Sequence, residues 1–121
     1  MTSVRSGQMA THESIARTPP PPYYSVVFTS RRNDGDQVLY KATADRMLEL
    51  ATEQDGYLGI ESVRDASGVG ITVSYWRDLD AIRRWHDVAE HRAAQELGRS
   101  KWYDCFVVRI ARVEREYDFG R

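Results

Sequence analysis

Six stretches of this chain carry a hydrophobic rhythm, and that rhythm switches between a period of two and a period near 3.6 in a fixed order. Tyr23-Tyr24-Ser25-Val26-Val27-Phe28-Thr29-Ser30 is aromatic and β-branched and runs into Arg31-Arg32-Asn33-Asp34-Gly35, so a first strand over 23–30 ending in a turn is expected. Over 36–54, Leu39, Tyr40, Ala44, Met47, Leu48 and Ala51 recur at three and four, and Gly56 follows as a stop, which predicts one amphipathic helix. Residues 57–64 and 70–76 alternate on either side of Asp65-Ala66-Ser67-Gly68 and predict a hairpin. Asp78 is a good N-cap for a second helical region over 78–97, carrying Leu79, Ile82, Trp85, Ala89, Ala93 and Leu97 before Gly98, with a break near His86 or Asp87 as an alternative. Residues 103–113 are apolar on both sides, as suits a central or interface strand.

The order β-α-β-β-α-β is the split βαβ plan of ferredoxin-like α+β domains, an antiparallel sheet with both helices on one face. Such a plan leaves the other face bare. Thr72, Ser74 and Trp76 point away from the side taken by Ile71, Val73 and Tyr75, and neither side of the last strand is polar throughout. A lone subunit would expose more apolar surface than monomers tolerate, so the expected assembly is a homodimer joined sheet to sheet. Residues 1–22 hold few large apolar side chains and end in Pro19-Pro20-Pro21-Pro22, the composition of a flexible, Pro-rich amino-terminal arm; 23–121 form the domain.

The 121 residues are enough for one core. Seventeen Lys and Arg against eighteen Asp and Glu leave a net charge of −1, which gives no attraction to nucleic acid or to anionic lipid. Apolar runs are far shorter than the roughly 20 residues that cross a bilayer, and no signal-peptide pattern follows the start, so a cytoplasmic location is expected. A single cysteine, Cys105, excludes an internal disulfide and a multi-cysteine zinc site, and in a buried strand it is expected to behave as an inert small hydrophobe. The basic residues are almost all Arg, a bacterial GC-rich signature without physical consequence.

Several side chains invite a chemical reading. Trp76 and Trp85, nine residues apart across a strand-to-helix junction, could wall a flat substrate together with Ile82; the alternative is plain core. Asp87 lies one turn before His91 and could orient it as a general base, although an exposed ion pair is the commoner meaning of that spacing. On an unbroken helix position 92 falls near the Trp85 face and position 91 well away from it, so His91 meets a cavity only if the helix breaks after Trp85. His86 beside Glu90 lacks further ligands for a metal, and Gly68-Val69-Gly70 reads as a hairpin turn, not a dinucleotide fingerprint.

Gly56-Tyr57-Leu58-Gly59, Ser74-Tyr75-Trp76-Arg77-Asp78 leading into Ala81-Ile82-Arg83-Arg84-Trp85, and Glu90-His91-Arg92-Ala93-Ala94-Gln95 with Gly98-Arg99 together resemble the antibiotic biosynthesis monooxygenase family. The resemblance spans residues 23 to about 117 and implies a dimeric α+β barrel. It also implies a small oxygenase that needs no cofactor and acts on an aromatic phenol, quinol or polyketide-like small molecule. Electrons would then come from the substrate anion, and the protein would supply an aromatic pocket, a base (His91 or Tyr75) and a donor for the anion (Arg92). Heme-degrading members imply a different cofactor: they carry an Asn on the first strand, a Trp in the second helix and a ligating His. Here Trp85 matches the Trp, Thr29 stands near the Asn, and Gln95 falls where the His would be, with His91 one turn early. A dimer that binds a small ligand without catalysis is the third alternative.

Overall fold

The computed structural model describes residues 15–95 and 102–120, with side chains at 91–95 not included. The elements follow in the expected order: β1 (Tyr23–Arg32), α1 (Gln37–Thr52), β2 (Tyr57–Arg64), β3 (Val69–Trp76), α2 (Leu79–Gln95) and β4 (Tyr103–Val113). All neighbouring strands pair antiparallel, in the order β2-β3-β1-β4. The chain is therefore an α+β, ferredoxin-like β-α-β-β-α-β domain.

Local chemistry sets the boundaries. The Asp36 carboxylate accepts from the Leu39 N–H at 2.9 Å and Asp78 from the Ala81 N–H at 2.8 Å, so each helix opens on an aspartate cap. In the β2–β3 turn Asp65 accepts from the Ser67 N–H at 2.9 Å, and Gly68 takes a φ of +96° that L side chains rarely adopt. A Cβ on Gly68 would also stand 3.0 Å from the Arg32 carbonyl oxygen, because β1 continues past the expected stop and Arg32 N–H donates to Gly68 O at 2.8 Å.

The two extra residues of β1 are Arg31 and Arg32, which the sequence assigned to a turn. Arg32 is only 7% exposed. Its guanidinium lies 3.9 Å from the Tyr40 ring centroid and 5.6 Å from that of Trp102. It donates to the carbonyls of Asn33 (2.5 Å), Trp102 (3.4 Å), Gly35 (3.5 Å) and Asp36 (3.4 Å). An arginine is tolerated in such a place because aromatic faces and carbonyl dipoles replace water.

β4 is an edge strand, paired only with β1, which rules out the central position among the two expected for it. Cys105 is accordingly exposed, with the Arg31 Nη1 3.8 Å from its sulfur, and is not the buried hydrophobe expected. Strand pairing lines up side chains in rows. Tyr57–Trp76–Tyr24–Arg112, Ile60–Ser74–Val26–Ile110, Ser62–Thr72–Phe28–Val108 and Arg64–Gly70–Ser30–Phe106 face the helices. Gly59–Tyr75–Ser25–Ala111, Glu61–Val73–Val27–Arg109 and Val63–Ile71–Thr29–Val107 face the other way.

The core sits at one end of the helix side, where Trp76, Ala51, Ala81 and Ile82 are buried and Tyr24, Val26, Tyr57 and Trp85 pack around them. On the opposite face Val63 (74%), Ile71 (43%) and Val107 (48%) stay exposed, as expected of a sheet with helices on one side only. Part of that open face is crossed by residues 15–18: the Ala16 N–H donates to Glu61 at 3.0 Å, and a Cβ on Gly59 would meet the Ala16 Cβ at 2.9 Å. Thr18 donates to Glu116 at 2.8 Å. Of the arm expected over 1–22, residues 1–14 lie outside those described. No helix among the described residues is long and apolar enough to cross a membrane.

Candidate functional site

One stripe of α1 shows how the helix meets the sheet. Tyr40, Ala44, Leu48 and Ala51 fall within a narrow arc at 3.6 residues per turn. Its two ends are anchored: Ala51 is buried against the Trp76 cluster, and Tyr40 covers the Arg32 guanidinium and meets the Trp102 ring at 5.7 Å. Between them Ala44 and Leu48 are exposed, while Thr43 and Met47 on the adjoining side of the helix are half-buried. The helix bridges two aromatic clusters, and the helix-facing side of the sheet between them is left partly uncovered as a strip, or trough. The sheet residues below are Ser62, Thr72, Phe28 and Val108, with Ile110 in the adjoining row; Val108 and Ile110 are 47% and 53% exposed on this helix-facing side. Ser62 and Thr72 hydroxyls share a hydrogen bond of 2.6 Å on the floor.

At the core end, the structure brings Trp76, Trp85 and Ile82 together, but as packing. Trp76 is 0% exposed, stacks on Trp85 with ring centroids 6.0 Å apart and an interplanar angle of 20°, and donates from Nε1 to Ser74 Oγ at 2.8 Å. Trp85 is half-buried and keeps part of its ring exposed. Tyr75 is next to Trp76 in an extended strand and so points through the sheet to the open face. It does not join Trp76, Trp85 and Ile82. α2 runs without a break from Leu79 to Gln95, the arrangement in which position 92 lies near the Trp85 face and position 91 does not; the side chains of His91 and Arg92 lie outside those described. His86 is exposed, 3.7 Å from Asp87 and 3.8 Å from Glu90.

Tyr75 belongs to a separate cavity of about 400 Å³ on the open face, lined by Ile15, Ala16, Thr18, Tyr23, Glu61 and 116–120. There Tyr75 Oη donates to Glu61 at 2.6 Å, Tyr23 Oη donates to Glu116, and the two rings meet edge to face at 5.8 Å. Burial and then the Glu61 carboxylate push the Tyr75 phenol well above its ordinary value, and burial and Glu116 raise Tyr23. Tyr75 therefore holds its proton as a donor and is poorly placed to act as a base. Burial also raises Tyr57 and Tyr103. The sign of the linkage follows. Above a pH of about 10 the unfolded chain sheds phenolic protons that the folded chain keeps, so stability falls. Thermal melts between pH 8 and 11 are expected to show Tm constant at first and then declining from about pH 10, and Tyr75→Phe should make the decline shallower.

The far end of the trough holds residues that sequence reasoning passed over. Arg64, at the end of β2, lays its guanidinium across Gly70: a Cβ there would stand 2.6 Å from Arg64 Cζ. Arg64 donates to Gly68 O at 2.5 Å, Ser30 O at 3.4 Å and Ser30 Oγ at 2.8 Å, and lies 5.9 Å from the Tyr103 ring centroid. Tyr103 packs on Phe28 (5.4 Å) and Phe106 (6.2 Å), and its hydroxyl is 3.4 Å from that of Tyr40. Burial, then the Tyr40 contact, raise the Tyr103 phenol, opposed by the charges of Arg64 and Arg32. The available signal was Gly70 opposite a long basic residue in a hairpin, a place where a strand gives up its side chain to a neighbour.

A sequence model for antibiotic biosynthesis monooxygenases matches residues 23–97. The chain belongs to this family. An uncharacterized protein of Bacillus subtilis strain 168, YqjZ, is 52% identical over 102 residues, covering 84% of this chain and 89% of that protein. The jasmonate monooxygenase ABM of Pyricularia oryzae is 29% identical over 94 residues; the match takes in 74% of this chain but 43% of that protein. Among solved structures, a variant of SnoaB, a cofactor-independent oxygenase from Streptomyces nogalater, superposes with a TM-score of 0.64 at 13% identity, covering 78% of this chain and 95% of its own. A dimeric ferredoxin-like protein of unknown function from Thermobifida fusca gives 0.59 at 14% identity, with 76% and 92% covered. At such identities the structures show a shared fold. Of the positions compared with the heme-degrading members, Thr29 lies on the open face in the row of Ile71 and Val107, on the other side of the sheet from Trp85, whose ring is stacked on Trp76; the side chains of His91 and Gln95 lie outside those described.

Proposed function

We propose that this antibiotic biosynthesis monooxygenase domain is an oxygenase that takes a planar aromatic phenol or quinol into the trough beneath α1 and needs no resident cofactor. The observation that carries this reading is the trough itself. Its sheet side is apolar at Phe28, Val108 and Ile110, a hydroxyl pair sits on its floor, and aromatic clusters stand at both ends. Apolar walls with a few convergent polar groups are what a small planar ligand requires. An activated methylene flanked by phenolic rings can be converted to a ketone with balanced atoms and electrons, CH2 + O2 giving C=O + H2O, so the substrate itself supplies all four electrons that dioxygen takes up. Position 92 on the Trp85 side of α2 suits Arg92 as a donor to the developing anion, and His91 is the base to be tested. Trp76 and Ile82 act through packing, and Trp85 supplies the edge that meets the ligand.

The test is aerobic incubation with anthrone- and quinol-type phenols while quinone absorbance is followed. Acceleration over buffer, reduced at least tenfold in Trp85→Ala, is expected. Rates equal to buffer count against catalysis, and unchanged rates in His91→Ala remove that residue from the mechanism. The closed packing of Trp76, Trp85 and Ile82 favours one rival, a dimer that binds its ligand without turnover, which would show saturable binding and no product.

We also infer that two copies join through their open faces, since Val63, Ile71 and Val107 would otherwise remain wet. Sedimentation at micromolar concentration should give a dimer, and Ile71→Arg should shift it toward single subunits. A soluble, folded single subunit of the parent chain would sink this assembly.

A further inference from the structure

Arg32 and Arg64 are two guanidiniums at one end of the trough, both close enough to the Tyr103 phenol to act on it. Their acceptors are all neutral: backbone carbonyls, the Asn33 side chain and the Ser30 hydroxyl. Among the described residues neither meets a carboxylate. Arg32 Nε is buried without an acceptor among the described residues. Arg64 uses both Nη atoms on Ser30 and Gly68, while its Nε–H has no acceptor among the described residues. Two neighbouring cations held by neutral groups in a half-buried setting repel each other, and an anion placed between the trough and Arg64 relieves that repulsion.

Gly70 shows that the placement is specific. Only a residue without a Cβ lets the Arg64 guanidinium lie flat over β3 on the helix side, two residues along β2 from Ser62 on the trough floor. The rings of Phe28, Phe106 and Tyr103 are grouped beside it and offer faces to a planar molecule.

We infer that Arg64, seated over Gly70 and backed by Arg32 and the Tyr103 hydroxyl, is the anion hold of the trough, so that the molecule bound there is a phenol kept as its phenolate. The inference rests on the trough being the ligand site. The proton lost by the phenol passes to solvent, directly or by way of the base tested as His91, and the negative oxygen accepts charge-assisted hydrogen bonds from the guanidinium. This assigns to Arg64 the task of fixing both the orientation and the ionisation of the ligand.

The experiment uses the full chain and 4-nitro-1-naphthol, a two-ring phenol whose anion absorbs visible light. Its binding is measured by equilibrium dialysis at pH values on either side of its ionisation. The phenolate is expected to bind at least tenfold more tightly than the neutral form, so the bound probe ionises at a lower pH than the free one. Arg64→Gln should abolish that preference, as should Gly70→Ala, which leaves the charge present but displaces it; Arg77→Gln, on the exposed surface, should leave it intact. Circular dichroism on each variant identifies any loss of fold, and if Arg64→Gln unfolds, Gly70→Ala carries the comparison. Equal binding of both forms by the parent chain overturns the anion hold and leaves the trough as a ligand site. A preference that survives in folded Arg64→Gln or Gly70→Ala also overturns it. Binding of neither form overturns the trough reading and the anion hold together.

Discussion

Trp76→Ala is expected to lower unfolding free energy by about 3–5 kcal/mol, the range for removing a large buried aromatic, and to be the most damaging single change in the core. Trp76 has no exposed surface and sits where Ala51 of α1, Ala81 and Ile82 of α2, Tyr57 of β2 and Trp85 converge. Its removal leaves a hole at the one place where both helices are pinned to the sheet, and Ser74 Oγ loses its Nε1 donor. For a domain of ordinary stability, about 5–15 kcal/mol, this is a large fraction of the total. Urea unfolding followed by circular dichroism should show a large fall in midpoint with little change in slope. Trp76→Phe should recover more than half of the loss, because the ring volume returns while the hydrogen bond does not. A Trp76→Ala midpoint within about 1 kcal/mol of the parent would mean the helices are held elsewhere.

Arg32→Ala should come next, at about 2–4 kcal/mol, because removal leaves carbonyl groups at a tight chain reversal with fewer donors and takes away a cation held against two aromatic faces. The residue ties β1, the start of α1 and Trp102 into one unit. Arg32→Lys should rescue little: one ammonium group does not reach the carbonyls of Asn33, Gly35, Asp36 and Trp102 that the planar fork spans. Hydrogen exchange offers a local readout. The Asn33 N–H, which donates to Trp102 O at 2.9 Å, should exchange faster in Arg32→Ala than the amides of the β2–β3 hairpin. Equal protection in both regions, with an unchanged denaturation midpoint, would show that the clamp contributes nothing.

The same arginine explains where the sequence could and could not be read. β2 and β4 fall within their expected limits, and Asp78 caps the second helix as its chemistry suggests, because these features are local and periodic. β1 runs two residues further than its composition indicates, since Arg32 is buried by partners 1 to 70 residues away, and no local pattern announces the distant ones. Cys105 is exposed for a related reason: strand composition gave it an apolar setting, whereas the order β2-β3-β1-β4 puts its strand at an edge.

For the site, alternation along β3 already separated Tyr75 from Trp76, so the two could not share a compartment within one sheet, and the structure puts them on opposite faces. The closing of Trp76 onto Trp85 was legible only as one of two alternatives, because spacing shows that two rings share a region but not whether a ligand separates them. Arg64 was silent in the sequence. Its position depends on a missing Cβ at Gly70, six residues later and on the next strand.

The link between Thr18, Tyr23 and Glu116 brings the beginning and the close of the domain to one spot on the exposed side of the sheet. A reporter or affinity handle joined directly before Ile15 or directly after Gly120 is therefore carried to the very side through which subunits are proposed to associate. Handles at these two points should hinder pairing alike, whereas one inserted at the Ala66–Ser67 turn tip should interfere far less.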